Sequence, residues 1–256
     1  PIYGKPIKAN IIDFNLGVNK GATVMAKNPV IGEAVSGWEY VNENVNNDSM
    51  EKIQKIVGER LKNKQTELNT KIALRTNNPP IETEELKKLD TEIKTLSREI
   101  ATITQLSAQI AAMWEDGSYR DAGNEPYKLA SRVALLSHLL GGGTVFNCKS
   151  GKDRTAQLDV EVKFLAFQIR TSNGEVPKPN RKRTNLEKVQ FATFIFFDES
   201  RRKMQEFNTG YGGSKLVGQP ALYGNFTPST GDARVDKQNI AATIQQFQGL
   251  SRAVSS

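Results

Sequence analysis

Between about Asn46 and Arg75 the apolar residues Met50, Ile53, Ile56, Val57, Leu61, Leu68 and Ile72 recur at spacings of three, four and seven in an otherwise polar stretch. That period predicts a helix with one buried stripe. Asn77-Asn78-Pro79-Pro80 ends it, because proline lacks the amide donor and clashes with the preceding turn. A second helix is expected from near Glu82. Its apolar positions, Leu86, Leu89, Ile93, Leu96, Ile100, Ile103, Leu106, Ile110 and Met113, alternate almost strictly between intervals of three and four, the signature of a coiled-coil seam. At 1.5 Å per residue it would be about 45 Å long. Two such helices joined by a short break predict an antiparallel hairpin over about 45–113, inserted as a rigid arm. Residues 1–44 show only short apolar clusters, such as Ile11-Ile12 and Val30-Ile31, and read as loops and short elements packed on a core.

Beyond the arm the pattern shortens. Trp114–Asp121 has loop composition. A helix from about Pro126 to Leu140 would bury Leu129, Val133, Leu136 and Leu140 and place His138 among them as a packed residue, with Gly141-Gly142-Gly143 ending it. Thr144-Val145-Phe146-Asn147 reads as a short buried strand. Arg154 to about Thr171 reads as helix, with Leu158, Val162, Leu165, Phe167 and Ile169 available to the core and Asn173-Gly174 closing it. Leu186–Phe197 is apolar enough for strand or helix. Thr184 and Asn185 as cap residues, with Glu187 in the first turn, favour helix. A glycine-rich loop spans Asn208–Gly218, a polar loop reaches about Asp236, and Ile240, Ile244, Phe247 and Val254 mark a weakly amphipathic closing helix. No internal repeat is visible. The expected architecture is one α/β domain, residues 1–256, with a catalytic half over about 114–236.

Composition narrows the chemistry. The 256 residues carry 38% hydrophobic and 25% charged side chains, which is globular composition. No run of about 18 apolar residues exists to span a membrane. The chain opens Pro-Ile-Tyr-Gly-Lys without Met and reads as a trimmed fragment. A single cysteine excludes an internal disulfide and a cysteine-rich zinc site, and a single histidine argues against a His-based metal centre or a Ser-His-Asp triad. The net charge of +7 favours an anionic partner. Between Asn147 and Lys203, 13 Lys and Arg face 7 Asp and Glu, so this segment supplies +6 of the excess.

The lone cysteine stands in that basic segment, in Asn147-Cys148-Lys149-Ser150-Gly151-Lys152-Asp153-Arg154-Thr155. A Cys followed six residues later by Arg, between an expected strand and an expected helix, has a physical purpose. A loop of this length turns successive amide groups inward as an anion nest, and the helix behind it adds its positive end. Both stabilise a thiolate on Cys148. The planar fork of Arg154 suits two phosphate oxygens, and the thiolate would attack phosphorus in line to give a cysteinyl-phosphate. Thr155 can donate to the sulfur as it leaves. An Arg at that offset occurs by chance about one time in twenty, so the surrounding context carries most of the weight.

Cys-Lys-Ser-Gly-Lys-Asp-Arg-Thr resembles the catalytic loop of the bacterial type III secreted inositol polyphosphate and phosphoinositide phosphatases of the SopB/IpgD family, and is similar to that of the mammalian inositol polyphosphate 4-phosphatases. Asp13–Asn19, Tyr119-Arg120 with Glu125–Arg132, and Asn208-Thr209-Gly210 with Gly213 and Lys215 resemble further segments of that family, while the helical arm matches weakly or not at all. Ala156-Gln157 departs from the Gly-Met that the family would place there. No separate GTPase-binding region is visible, so that family activity is not expected.

The resemblance implies a cysteine-phosphatase-like sheet of the protein tyrosine phosphatase type with flanking helices. It implies Cys148 as nucleophile, Arg154 as phosphate clamp, and Lys149 and Lys152 as contacts to further phosphates of an inositol ring, with Ser150, Gly151 and Thr155 completing the substrate loop. The leaving oxygen needs a proton. Asp153 is the first candidate, since some lipid phosphatases use an aspartate inside such a loop, and Asp116 and Asp121 in the preceding loop are rivals. No metal and no cofactor is expected. The substrate would be a phosphoinositide or a soluble inositol phosphate. Lys178–Arg183 and Arg201, Arg202 and Lys203 would contribute peripheral contact with an anionic membrane, each cation adding about 1 kcal/mol. By resemblance the setting is a secreted bacterial effector acting at membrane surfaces inside a host cell; no protein partner is indicated. Two other readings stand beside this one. A protein tyrosine or dual-specificity phosphatase shares the chemistry, though the two loop lysines favour a polyphosphate. A non-catalytic basic scaffold or nucleic-acid binder lacks any stacking pattern of aromatics to support it.

Overall fold

The computed structural model describes residues 12–14, 32–77, 84–120, 123–145, 153–197, 203 and 227–253, with side chains over 12–14, 44–77, 84–120, 123–145, 155–195, 203 and 227–243. Helix α1 (Gly32–Asn77) and helix α2 (Glu84–Glu115) form the arm. A 3-10 turn (Ser118–Arg120) and helix α3 (Lys128–Leu139) follow. Helices α4 (Asp153–Thr171), α5 (Asn185–Phe197) and α6 (Ala233–Ala253) complete the described elements. In sequence order α1 packs on α2, α2 on α3, α3 on α4 and α4 on α5.

The arm is antiparallel, as expected: Lys64 pairs with Glu99, Lys71 Nζ with Glu92 at 2.8 Å and Arg75 Nε with Asp90 at 2.8 Å, one number rising as the other falls. Its seam is apolar. Ile53, Val57 and Leu68 face Leu86, Leu96, Ile103, Leu106, Ile110 and Met113, all buried. The base of the seam merges with Leu129, Val133 and Leu136 of α3 and Leu165 and Ile169 of α4 into one core, on which Ile12 and Phe14 also pack. A second core is aromatic: Val160 and Phe164 of α4 meet Phe191 and Ile195 of α5, with Ile240 of α6 against them. The Phe164 and Phe191 rings meet edge to face at 5.0 Å.

Local signals in the sequence set several element ends. Gly141 N–H bonds to His138 O and Gly142 N–H to Ser137 O, both at 2.9 Å, with Gly141 at φ 84°, so the first glycine of the triplet closes α3 in a left-handed cap that suits a residue without Cβ. At α5, Thr184 Oγ1 accepts from Glu187 N–H at 3.2 Å while Glu187 Oε2 accepts from Thr184 N–H at 2.9 Å, a reciprocal capping box.

Five expectations are corrected. The described residues hold no α/β sheet of the cysteine-phosphatase type: every described element is helical and none is a strand. Thr144-Val145, the described half of the expected buried strand, pairs with no strand among the described residues, and Val145 is 92% exposed. β-Branched residues favour a strand only when a neighbouring strand and a buried face are available. His138 lies exposed on the last turn of α3 instead of packing among the leucines. Finally, α1 starts at Gly32, so part of the region read as loops is helical, and α6 begins before Asp236, where Asp232 Oδ1 caps Arg234 N–H at 2.8 Å. The Asn208–Gly218 loop lies outside the described residues.

Candidate functional site

Asp153 and Arg154 are the first two residues of α4, so the helix opens directly behind the Cys148–Lys152 stretch. Thr155, in the same turn, is buried. Cys148, Lys149, Ser150, Gly151, Lys152 and Asp121 lie outside the described residues. Of the sequence-identified site residues the structure therefore brings Asp153, Arg154 and Thr155 together at one helix N-terminus, where backbone amides and the helix dipole favour an anion.

Asp116 sits elsewhere, in the turn after α2. Its Oδ1 accepts the Ser118 N–H at 2.7 Å. Hydrogen bonding from Ser118, side chain first and backbone second, holds its carboxyl below the ordinary aspartate value. The group is thus dressed as a turn-forming carboxylate.

The segment leading to α3 is tied down by the buried Arg132 and the part-buried Glu125, to which the sequence reading gave no role beyond the family segment. Arg132 is 0% exposed and spends its guanidinium on four acceptors: Gln109 Oε1 at 2.7 Å, Glu125 Oε1 at 2.6 Å, Lys128 O at 2.9 Å and Pro177 O at 3.0 Å. The other Glu125 oxygen accepts from Asn180 N–H at 2.8 Å, and Asn180 in turn accepts the Asn124 N–H at 2.6 Å on its side-chain oxygen. A Cβ at Gly123 would stand 2.1 Å from that oxygen, so only glycine admits this approach. Residues 174–183 thereby form a strap. Thr102 Oγ1 donates to Gly174 O at 3.0 Å, Gln105 Oε1 accepts Val176 N–H at 2.9 Å, and Arg132 and Asn180 join the strap to the approach to α3.

The strap ends on α4 and α5. Arg181 forks onto the Glu187 carboxylate, and that pairing, followed by the Thr184 hydrogen bonds, lowers the Glu187 pKa to about 2 against the opposing effect of burial. Arg183 Nη2 reaches Glu161 Oε2 at 2.6 Å inside the aromatic core, its guanidinium 3.8 Å from the Phe191 ring centroid. Gln157 Nε2 donates to the other Glu161 oxygen at 3.3 Å. Burial pushes the Glu161 carboxyl above its usual range, against the pull of Arg183. Lys188 is buried, donates from Nζ to Thr227 O at 3.1 Å, and has its pKa lowered mainly by burial. The basic stretch expected at a membrane is therefore divided. Arg181 and Arg183 are committed to internal carboxylates, while Lys178 and Lys182 are exposed. Lys203 is exposed too, and Arg201 and Arg202 lie outside the described residues.

Spacing did carry a sign of these groups. Gln157 and Glu161 stand four apart among Ala156, Val160 and Phe164, and Arg132 sits between Leu129 and Val133, so polar residues occupy positions inside the buried faces. Their distant partners, Gln109 and Pro177 for Arg132 and Arg183 for Glu161, lie 22 to 45 positions away, which periodicity does not reveal. Ala156-Gln157, where the chain departs from the expected Gly-Met, is buried, and Gln157 there is tied to Glu161. Among the described residues no cluster of three or more His, Cys, Asp or Glu forms a metal-binding set.

Residues 5–248 match the family model described as "Enterobacterial virulence protein IpgD". The chain is similar to the inositol phosphate phosphatase IpgD of Shigella flexneri, at 35% identity over 45% of this chain and 21% of that protein. It is similar to the inositol phosphate phosphatase SopB of Salmonella bongori, at 29% identity over 61% of this chain and 36% of the relative. Against SopB of Salmonella dublin the identity is 44% over 60% of this chain and 26% of the relative. The chain spans about a fifth to a third of the length of these relatives.

Proposed function

Since the chain belongs to the IpgD family of enterobacterial virulence proteins, we propose that it hydrolyses phosphate monoesters of inositol phosphates or phosphoinositides, with Cys148 as nucleophile. The observation that carries this reading is the family match over 5–248, which includes the octet Cys148–Thr155. The opening of α4 at Asp153, immediately behind the loop, supports it. So does the activity for which the similar proteins are named, inositol phosphate phosphatase in each case.

In the proposed reaction the Cys148 thiolate attacks phosphorus opposite the inositol oxygen. The S–P bond forms as the P–O bond to the ring breaks, and the departing oxygen takes a proton from Asp153. Water then attacks the cysteinyl-phosphate, gives its proton back to the Asp153 carboxylate, and releases phosphate and the thiolate. Arg154 holds two non-bridging oxygens through both steps. Lys149 and Lys152 take neighbouring ring phosphates, and Ser150, Gly151 and Thr155 complete the loop. Asp153 is preferred as proton donor because Asp116 is engaged by Ser118, which stabilises its charged form; Asp121 is the remaining rival. No metal or cofactor enters. The single domain would present Lys178 and Lys182 to an anionic membrane in a host cell.

The test is phosphate release from a series of inositol phosphates in EDTA. Cys148→Ser should abolish turnover, a loss of at least about a thousandfold, while inositol phosphate binding persists; Arg154→Ala should lose both. Turnover by Cys148→Ser would sink the thiol mechanism. Preference for phosphopeptides would select the tyrosine-phosphatase reading, and the absence of vanadate-sensitive phosphate release from either substrate class a scaffold.

A further inference from the structure

Glu161 and Arg183 are buried to 3% and 9% side-chain exposure, and they meet at 2.6 Å. Their surroundings are aromatic. The guanidinium lies 3.8 Å from the Phe191 centroid and 5.1 Å from that of Phe164. The Arg183 Nη1 is buried and makes no hydrogen bond. A buried ion pair loses hydration on both partners, and apolar side chains of similar size commonly replace such pairs without loss of stability. An unpaired buried donor adds a further penalty. Burial dominates the state of the Glu161 carboxyl even beside Arg183, which says the same of the environment. Stability alone gives no reason for this pair.

Its placement does. Arg154, Gln157 and Glu161 stand at successive turns of α4 in helical register, and Gln157 bonds to Glu161. Arg183 is the last cation of a strap hydrogen-bonded to α2 through Gln105 and to the approach to α3 through Arg132 and Glu125. Phenylalanine packing would tolerate a small slide or roll of α4. A charged contact of fixed geometry would not, and setting register is the best-attested use of buried polar pairs.

We propose that Glu161 and Arg183 are positioning residues for the phosphate-binding end of α4: the pair sets the axial and rotational position of the helix whose first turn carries Asp153 and Arg154. The proposal rests on the phosphatase reading above. Neither residue touches substrate; both act through the helix. A displacement on the order of 1 Å at a reacting centre costs about a hundredfold in rate.

The experiment replaces both charges together, Glu161→Leu with Arg183→Met, and in parallel makes Arg183→Lys, which keeps the charge but loses the planar fork. Three quantities are read: the melting temperature, kcat and KM for inositol phosphates, and the pH profile of iodoacetamide alkylation, which reports on Cys148 because it is the chain's one cysteine. The double variant is expected to melt within a few degrees of the wild type or above it. Its kcat should fall about 10- to 100-fold with KM changed far less, and its alkylation profile should move to higher pH as the helix end shifts from the thiolate. Arg183→Lys should lie between. Unchanged kcat and alkylation in a folded double variant overturn the proposal. So does unfolding of both variants, which would make the pair a stability element. A wild type without turnover, whose alkylation ignores inorganic phosphate, would instead sink the phosphatase reading, a separate result from a variant that works as well as the wild type.

Discussion

In the α1/α2 arm the charged pairs run outside an apolar seam; around α3, α4 and α5 two of them, Arg132–Glu125 and Arg183–Glu161, run inside. Lys71 and Glu92 keep 24% and 40% of their side-chain surface in solvent, whereas Arg132, Glu161 and Arg183 are enclosed. The arm resembles a coiled coil, in which apolar contacts supply the stability and surface charges can be exchanged at little cost. In the α3–α5 body Arg132 and Arg183 have named acceptors on other elements, and those acceptors dictate where the elements sit. The difference teaches that the two parts answer different demands, bulk rigidity in one and placement in the other. It can be broken or sharpened by removing charges of each kind.

The largest effect is expected at Arg132. Arg132→Met keeps much of the packing but leaves Glu125, Gln109 Oε1 and the Lys128 and Pro177 carbonyls without their donor. Breaking a buried pair by removing one partner costs about 3–5 kcal/mol. For a chain of this size that lowers the melting temperature by roughly 10 °C, measurable by calorimetry. A shift of only a degree or two would mean that this body tolerates charge loss as the arm does.

Next comes Glu187, which joins the strap to the start of α5. Its pKa is lowered to about 2 by Arg181 first and the Thr184 bonds after, from an ordinary value of 4.5. A lowered carboxyl contributes stability that is fully present above the unfolded value and is lost as pH falls from about 4.5 towards 2. Glu187→Gln retains a capping-box acceptor but not the charge. The wild type should therefore melt a few degrees higher than the variant at neutral pH, by about 1 kcal/mol, and the two curves should converge as the pH drops through that window. A gap that persists unchanged at pH 2 would show that the charge is not its source.

The same contrast explains what could be read from residues alone. The arm was legible because its information is periodic: Leu86 to Met113 carry their seam in their own spacing, and Pro79-Pro80 mark its break. The α5 start was legible because Thr184 and Glu187 are three apart and satisfy each other. The sheet was misread because Thr144-Val145 has strand-forming residues but, among the described residues, no strand to pair with, and pairing is a tertiary property. Of the candidate site, the C-x(5)-R spacing and the following helix were visible. The burial of Glu161 and Arg132 left a trace in their positions on apolar faces, but their pairing and that of Arg183 did not, since the distant partner is set by the fold.

The smallest effect belongs to the arm and completes the comparison. Lys71 pairs with Glu92 across the arm at 2.8 Å and approaches Glu67 on its own helix at 4.0 Å. The hydrogen bond it donates to Glu92, with the charges of both glutamates, raises its pKa. It lies outside the seam, however, and solvent screens it. Lys71→Ala should lower the melting temperature by no more than about 2 °C at low salt. In about 1 M salt, where the Debye length is about 3 Å, that difference should vanish. The Arg132→Met deficit should survive the same salt, because the Arg132 guanidinium is itself shielded from water and ions. If Lys71→Ala instead cost as much as Arg132→Met, or kept its full cost in salt, the arm would be held by its charges too, and the division between a rigid apolar brace and a charge-positioned body would fail.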